Sequence, residues 1–238
     1  MQNRNKYKNF ITNSKNEDED ESDGDNIRLY SNHLPYFEST KTNRSIKIFL
    51  DESIREPKYY RTVLQGIDSL NEGDLVIINI NSYGGHLDGA IALINAIENT
   101  EADVHVIIEG IAASAASLIA LAAPSISVSP YATMMVHSAT FGAFGKQSDV
   151  ISHASFVDKQ VRNLMGSVYK DFLSDKELEE VIMGKELWFT SEEIVLRLEK
   201  RCELQNKRDK ALNKANSAKT KLEQKLNAAG KDVSFEIT

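Results

Sequence analysis

The chain has 238 residues, 41% hydrophobic and 26% charged, which leaves room for one sizeable domain with extensions and excludes a disordered or fibrous protein. Its net charge of −7 comes from 28 basic and 35 acidic residues, but seven of the acids lie between Glu17 and Asp25; the rest balance at 28 against 28, leaving no basic face for a nucleic acid. The single cysteine, Cys202, excludes an internal disulfide framework or a paired-cysteine zinc site, and the longest apolar stretch, Ile111 to Ala123, falls short of the roughly 20 residues a membrane span needs. With no signal-like apolar core in MQNRNKYKNF, a cytoplasmic protein without a membrane anchor is expected.

Residues 1–26 carry no hydrophobic period and read as a flexible acidic tail. Ser45–Leu50 reads as a strand, Lys58–Leu70 as a helix, and Asp74–Ile80 as a β-branched strand of the kind buried on both faces. Leu87–Asn99 places Leu87, Ile91, Ile94 and Ile97 on one helical face. Val104–Glu109 is a further strand, Ala112–Ala123 a buried helix of small residues that Pro124 ends, and Ser125–Val128 and Thr133–Val136 two short strands. From Gln147 to Glu180 the chain is mostly helical, and Thr190-Ser191-Glu192-Glu193 has the form of a capping box opening a last helix. Alternating strands and helices predict an α/β fold with a largely parallel sheet over residues 27–200. Residues 201–238 have sparse apolar positions and read as a polar, basic tail, helical or disordered; from Lys200 on there are ten Lys or Arg and five Asp or Glu.

Open α/β sheets collect ligands at the C-terminal ends of their strands, and two loops fall there. In Asn81-Ser82-Tyr83-Gly84-Gly85-His86 the glycines permit positive φ and leave backbone N–H groups open to an oxyanion or phosphate; the plainer reading is a tight turn. The second loop runs from Gly110 to Ser117. Ser114, where strand passes into helix, has its hydroxyl beside free N–H groups and the helix dipole, and so resembles a nucleophile on a turn. Its plainer reading is an N-cap serine, and that of Ser117, one turn later, is helix packing.

A serine needs a base to attack an amide at neutral pH. Of five histidines, His33 lies near the N-terminus, His86 follows the glycines, His105 is within a strand and His153 within the helical stretch. His137 leaves a buried strand at the mouth of a loop, held in place yet able to titrate. A carboxylate should fix its tautomer, and Asp149, Asp158, Asp171, Asp175 and Glu186 all stay open on this reasoning.

Ile80-Asn81-Ser82-Tyr83-Gly84-Gly85, Gly110-Ile111-Ala112-Ala113-Ser114 and Met134-Met135-Val136-His137 resemble, in order and spacing, the ClpP-type serine peptidases, the proteolytic subunits of the Clp protease. Gly145–Ala154 is similar to the family's entry into a projecting handle helix, Trp188–Glu193 to its last aromatic box, and the likeness spans about Ser45 to Leu198. The resemblance implies a ClpP/crotonase-like fold of repeated β-β-α units. It implies Ser114 as nucleophile, His137 as base, and the backbone N–H groups of Gly85 and Ala115 as oxyanion donors. Ser138, Phe141 and Gly142 belong to the segment that would pair with an extended polypeptide substrate. It implies further a serine endopeptidase needing no metal or cofactor, assembled as stacked rings of seven and fed by an AAA+ unfoldase.

Three positions depart from the family pattern. Glu186 stands where an aspartate is expected, with Asp171 as the fallback; Tyr83 replaces a proline; and an acidic tail replaces the segment that meets the ATPase. Such departures suit a divergent, phage or organelle version. Two other readings remain: a ring subunit that has lost catalysis, and a crotonase-like acyl-CoA enzyme, which would not require the serine–histidine pair.

Overall fold

A computed structural model describes residues 36–39 and 44–228. The acidic run and His33 lie outside the described residues. In chain order the elements are β1 (Tyr36–Ser39), β2 (Arg44–Leu50), a 3-10 turn (Pro57–Tyr60), α1 (Arg61–Asp68), β3 (Leu75–Ser82), α2 (Leu87–Asn99), β4 (Asp103–Ala113) and α3 (Ala115–Ala122). There follow β5 (Ser125–Val128), β6 (Thr133–Val136), α4 (Gln147–Val168), α5 (Asp175–Ile182), β7 (Leu187–Thr190) and α6 (Ser191–Ala228).

The strands form one seven-stranded sheet in the order β1-β2-β3-β4-β6-β7, with β5 also on the edge of β4. Strands β2, β3, β4, β5 and β6 pair in parallel, and the antiparallel β1 and β7 close the two ends. β4 is long enough to serve two neighbours in turn: His105–Ile108 pair with β5, and Ile111–Ala113 with β6.

Alternation decides which face is covered. Ile46, Ile48, Val76, Ile78, Ile80, Val106 and Ile108 are buried with Val63 and Ile67 of α1, Leu93 and Ile94 of α2, and Ile119 and Leu121 of α3. On the opposite face Lys47, Ile77, His105 and Ile107 are half-buried and Phe49 is exposed. The expectation that β3 is buried on both faces is therefore corrected, because the crossovers put their helices on one side only. α2 buries Ala90, Leu93, Ile94 and Ile97, with Leu87 and Ile91 at the flank, so its apolar face is rotated slightly from the predicted one. α3 is buried along nearly its whole length, as a helix apolar on all sides must be.

Further boundaries differ: the helix read over Lys58–Leu70 is a 3-10 turn followed by α1, and the one read from Ala112 starts at Ala115. The strand read as ending at Glu109 continues to Ala113 through an irregularity: Ile80 pairs with Ile108, but Ser82 pairs with Ala112. Gly110 lies in that bulge against the Asn81 side chain, which accepts a hydrogen bond from the Ile111 N–H at 3.1 Å. It serves a bend within a strand, not a loop. The helical stretch from Gln147 breaks after Val168, and Ser174, in a reciprocal capping box with Glu177, opens α5. The first turns of α4 are largely exposed; only Val161, Met165 and Val168 of this helix are buried. Among the described residues no helix is long and apolar enough to cross a membrane.

Candidate active site

Strand register alone gathers the site. Ala113, the last residue of β4, pairs with Met135 of β6, and the Ser114 N–H donates to the Met135 carbonyl at 2.9 Å. Val136 ends β6 opposite Leu187, the first residue of β7, so His137 and Glu186 flank the same pair on the antiparallel edge. On the other side Ser82 of β3 pairs with Ala112, which sets the glycine loop beside Ser114.

His137 Nε2 lies 2.7 Å from Ser114 Oγ. Glu186 Oε1 lies 3.7 Å from His137 Nδ1, beyond hydrogen-bonding distance, and its side chain is 56% exposed against 29% for the imidazole. Ser114 has φ 54° and ψ −124°, and its side chain makes no capping hydrogen bond to α3. The N-cap role is thereby excluded and the hydroxyl is left to the imidazole. Among the described residues only Ser114 and Asp171 hold a side chain at positive φ, a conformation that costs roughly 1–3 kcal/mol.

The glycine loop is seated from both sides. Gly84 has φ 95°, and a Cβ there would lie 2.6 Å from the Ala113 carbonyl oxygen and 2.7 Å from the Ser114 Cβ. Only a glycine allows this approach. Gly84 donates to Ser82 Oγ at 3.1 Å, and its carbonyl accepts from the Ile54 N–H at 2.8 Å; the His86 N–H donates to Ile54 O at 2.8 Å. These bonds supply the rigidity that Tyr83, 77% exposed, does not bring to the loop. Among the described residues the N–H groups of Gly85 and Ala115 take no part in turn or cap hydrogen bonds, and Ala115 opens α3, where N–H groups lack helical acceptors.

The remaining candidates fall elsewhere. Asp171 makes a bidentate pair with Arg208, whose guanidinium holds its carboxyl below the usual carboxylate range. Asp158 pairs with Arg162 at 2.8 Å, Asp149 accepts from Ser148 at 3.1 Å, and Asp175 sits in the first turn of α5. His105 is bracketed by Ser125 at 2.8 Å and Ser127 at 3.0 Å, and burial lowers its pKa. His86 caps α2, and His153 packs edge-on against Phe141. Ser117 is fully buried. Ser138, Phe141 and Gly142 lie in the irregular segment between β6 and α4, where Phe141 is 45% exposed. Two further signals are present in the sequence: Ser174-Asp175-Lys176-Glu177 is itself a capping-box pattern, and the short β7 follows Glu186 directly.

A family model described as Clp protease matches residues 36–196. The chain is 24% identical over 153 residues to the ATP-dependent Clp protease proteolytic subunit 1 of Chlamydia abortus, covering 62% of this chain and 80% of that one. It is 32% identical over 123 residues to the ATP-dependent Clp protease proteolytic subunit of Bacteroides fragilis, covering 49% and 58%, and 28% identical over 129 residues to that of Bacteroides thetaiotaomicron, covering 53% and 59%. The matched span contains every strand among the described residues and the whole convergence of β3, β4, β6 and β7, and by that match the chain belongs to the Clp protease family.

Proposed function

We propose that this protease is a serine endopeptidase, with Ser114 as nucleophile, His137 as general base and Glu186 as the carboxylate that steadies the imidazole. The observation that carries the reading is the 2.7 Å approach of His137 Nε2 to a serine hydroxyl that does no other local work. In the first step Nε2 takes the Ser114 proton as Oγ attacks the peptide carbonyl. The N–H groups of Gly85 and Ala115 bind the developing oxyanion, a donor of this kind being worth roughly 3 kcal/mol of transition-state stabilisation. The imidazolium returns its proton to the departing amine, and a water activated by the same histidine releases the acyl-enzyme. Glu186 completes its contact with Nδ1 by a small rotation of its exposed side chain.

The segment holding Ser138, Phe141 and Gly142 recognises an extended polypeptide by main-chain pairing, which makes cleavage broad in sequence. Two relatives named as proteolytic subunits of an ATP-dependent Clp protease support an ATPase as partner; the proposal takes that partner to be an AAA+ unfoldase, the compartment to be the cytoplasm and the assembly to be stacked rings of seven. The exposed apolar residues Phe144, Ile151 and Phe156, just before and on the projecting part of α4, support this helix as the contact between rings. The steps use no metal, cofactor or nucleic acid.

A fluorophosphonate probe tests the reading: covalent labelling at Ser114, lost in Ser114→Ala with an unchanged circular dichroism spectrum, is expected. A second reading, a ring subunit without catalysis, draws on the 3.7 Å gap and exposure of Glu186. In that case Ser114 is not activated and stays unlabelled. Labelling at another serine moves the nucleophile; thioester binding with no labelling favours the crotonase-like alternative.

A further inference from the structure

α3 is an apolar helix, yet it carries a hydroxyl with no exposure to solvent, that of Ser117. Ser117 Oγ lies 2.7 Å from the carbonyl oxygen of Ser114 and 2.8 Å from the phenol oxygen of Tyr169, which is 1% exposed. A carbonyl can only accept, so the Ser117 proton points to Ser114 and the phenol must donate to Ser117 Oγ. The direction of both bonds is thus fixed: Tyr169 O–H to Ser117 Oγ, and Ser117 O–H to Ser114 C=O. Burial raises the phenol's pKa far above its ordinary value, so it keeps the proton it donates.

We infer that Tyr169 and Ser117 form a buried relay that holds Ser114 in its strained backbone conformation, which makes both of them positioning residues for the reaction proposed above, on which this inference rests. Serines inside helices often bond a carbonyl three or four residues back, but that carbonyl normally belongs to the helix. Here it belongs to the residue before the helix, at φ 54°, and the hydroxyl is oriented by a phenol 52 positions along the chain. The Ser114 carbonyl also accepts from the N–H groups of Ser117 at 2.9 Å and Leu118 at 3.3 Å. The Ser117 hydroxyl, at 2.7 Å, is a third donor to that carbonyl. The far end of the relay is firm, because the Tyr169 N–H donates to Met165 at 2.9 Å and its carbonyl accepts from Phe172 at 3.1 Å and Leu173 at 2.9 Å. A small rotation at Ser114 would swing Oγ away from His137, and misplacements on the order of 1 Å cost roughly 100-fold in rate.

The test uses the full chain and four variants, Ser114→Ala, Ser117→Ala, Tyr169→Phe and the double Ser117→Ala/Tyr169→Phe, at a temperature where circular dichroism shows all of them folded. The measured quantity is the fluorophosphonate acylation rate at Ser114, with thermal melting in parallel. Ser117→Ala and Tyr169→Phe are each expected to acylate roughly 10-fold more slowly. The double variant leaves no buried hydroxyl without a partner, so it should melt close to wild type while acylating as slowly as the single ones. In hydrolysis of a short fluorogenic peptide the loss falls on kcat with KM unchanged. A wild-type acylation rate in either single variant overturns the relay. A double variant that recovers rate together with melting temperature also overturns it, since the role is then structural only. Labelling of wild type that Ser114→Ala abolishes, with unchanged rates in the other variants, leaves the serine peptidase reading standing; absence of labelling in wild type removes that reading and the relay with it.

Discussion

Glu186, the residue just before β7, stands 3.7 Å from His137, whereas the Asp171 carboxylate is held by both terminal nitrogens of Arg208. The third group of such a site acts by fixing the imidazole's tautomer and stabilising its protonated form, so charge and direction matter more than one methylene of length. Glu186→Gln, which keeps the size and removes the charge, is expected to slow acylation of Ser114 by about 10- to 100-fold, less than for a buried carboxylate because water screens a side chain 56% exposed. Asp171→Asn should leave the acylation rate unchanged while lowering the melting temperature, because Arg208 loses its partner. Acylation kinetics on the two variants check this, and the opposite ranking would move the third role to Asp171. That Ser114 and His137 come together was legible in the sequence, because each places a reactive side chain at a strand end. Which of the two acids lies nearer the imidazole was not, since it depends on which residue of the antiparallel edge lies opposite Val136, and no local pattern encodes that pairing.

The elements with a clear period were legible almost to the residue: α2, β5 and β6 have the bounds their patterns predict. β4 was cut short because Gly110 reads as a turn residue, whereas the bulge uses it to admit the Asn81 side chain. The break between α4 and α5 was hidden in good helix-forming composition, although the Ser174–Glu177 box marks it. That box also predicts how the packing of α5 responds to acid. Glu177 accepts from Arg197 at 2.6 Å and from the Ser174 N–H at 2.8 Å; the guanidinium chiefly, then the Ser174 donors, hold its pKa down to about 2 from an ordinary 4.5 against the upward push of burial. A depressed folded-state value means the stabilisation is complete above about pH 4.5 and is lost as pH falls toward 2. For a pair about a quarter exposed the contribution is discounted to on the order of 1–2 kcal/mol. Glu177→Gln should therefore melt below wild type at pH 7 and converge with it near pH 2, as thermal scans across that range would record. A constant gap between the two curves would mean the carboxylate's charge plays no part.

At the scale of the whole molecule, α6 runs unbroken from Ser191 to Ala228, through the position where apolar residues become sparse. Hydrophobic periodicity fails as a guide here because the helix is fastened by arginines. Arg197 bonds Glu177 and the Phe172 carbonyl and lies 4.5 Å from the centre of the Phe189 ring; Arg201 donates to the Leu121 carbonyl at 2.9 Å; Arg208 grips Asp171. Spacings of four and seven keep all three on one helical face, with Arg201 and Arg208 lining a cavity of about 360 Å³ between α6 and the ends of α2, α3 and α4. The body therefore extends at least to Arg208, and the solvated stretch begins only beyond it. A chain ended after Leu212 keeps every anchor and should melt as the full chain does. One ended after Lys200 loses two; at on the order of 1–3 kcal/mol for the pair, its melting temperature should fall by roughly 3–8 °C. Arg201→Met with Arg208→Met in the full chain should reproduce most of that loss, which separates the arginine contacts from the helix as a whole. If both shortened chains melt with the full one, everything past residue 200 is a solvated extension, as composition alone suggests.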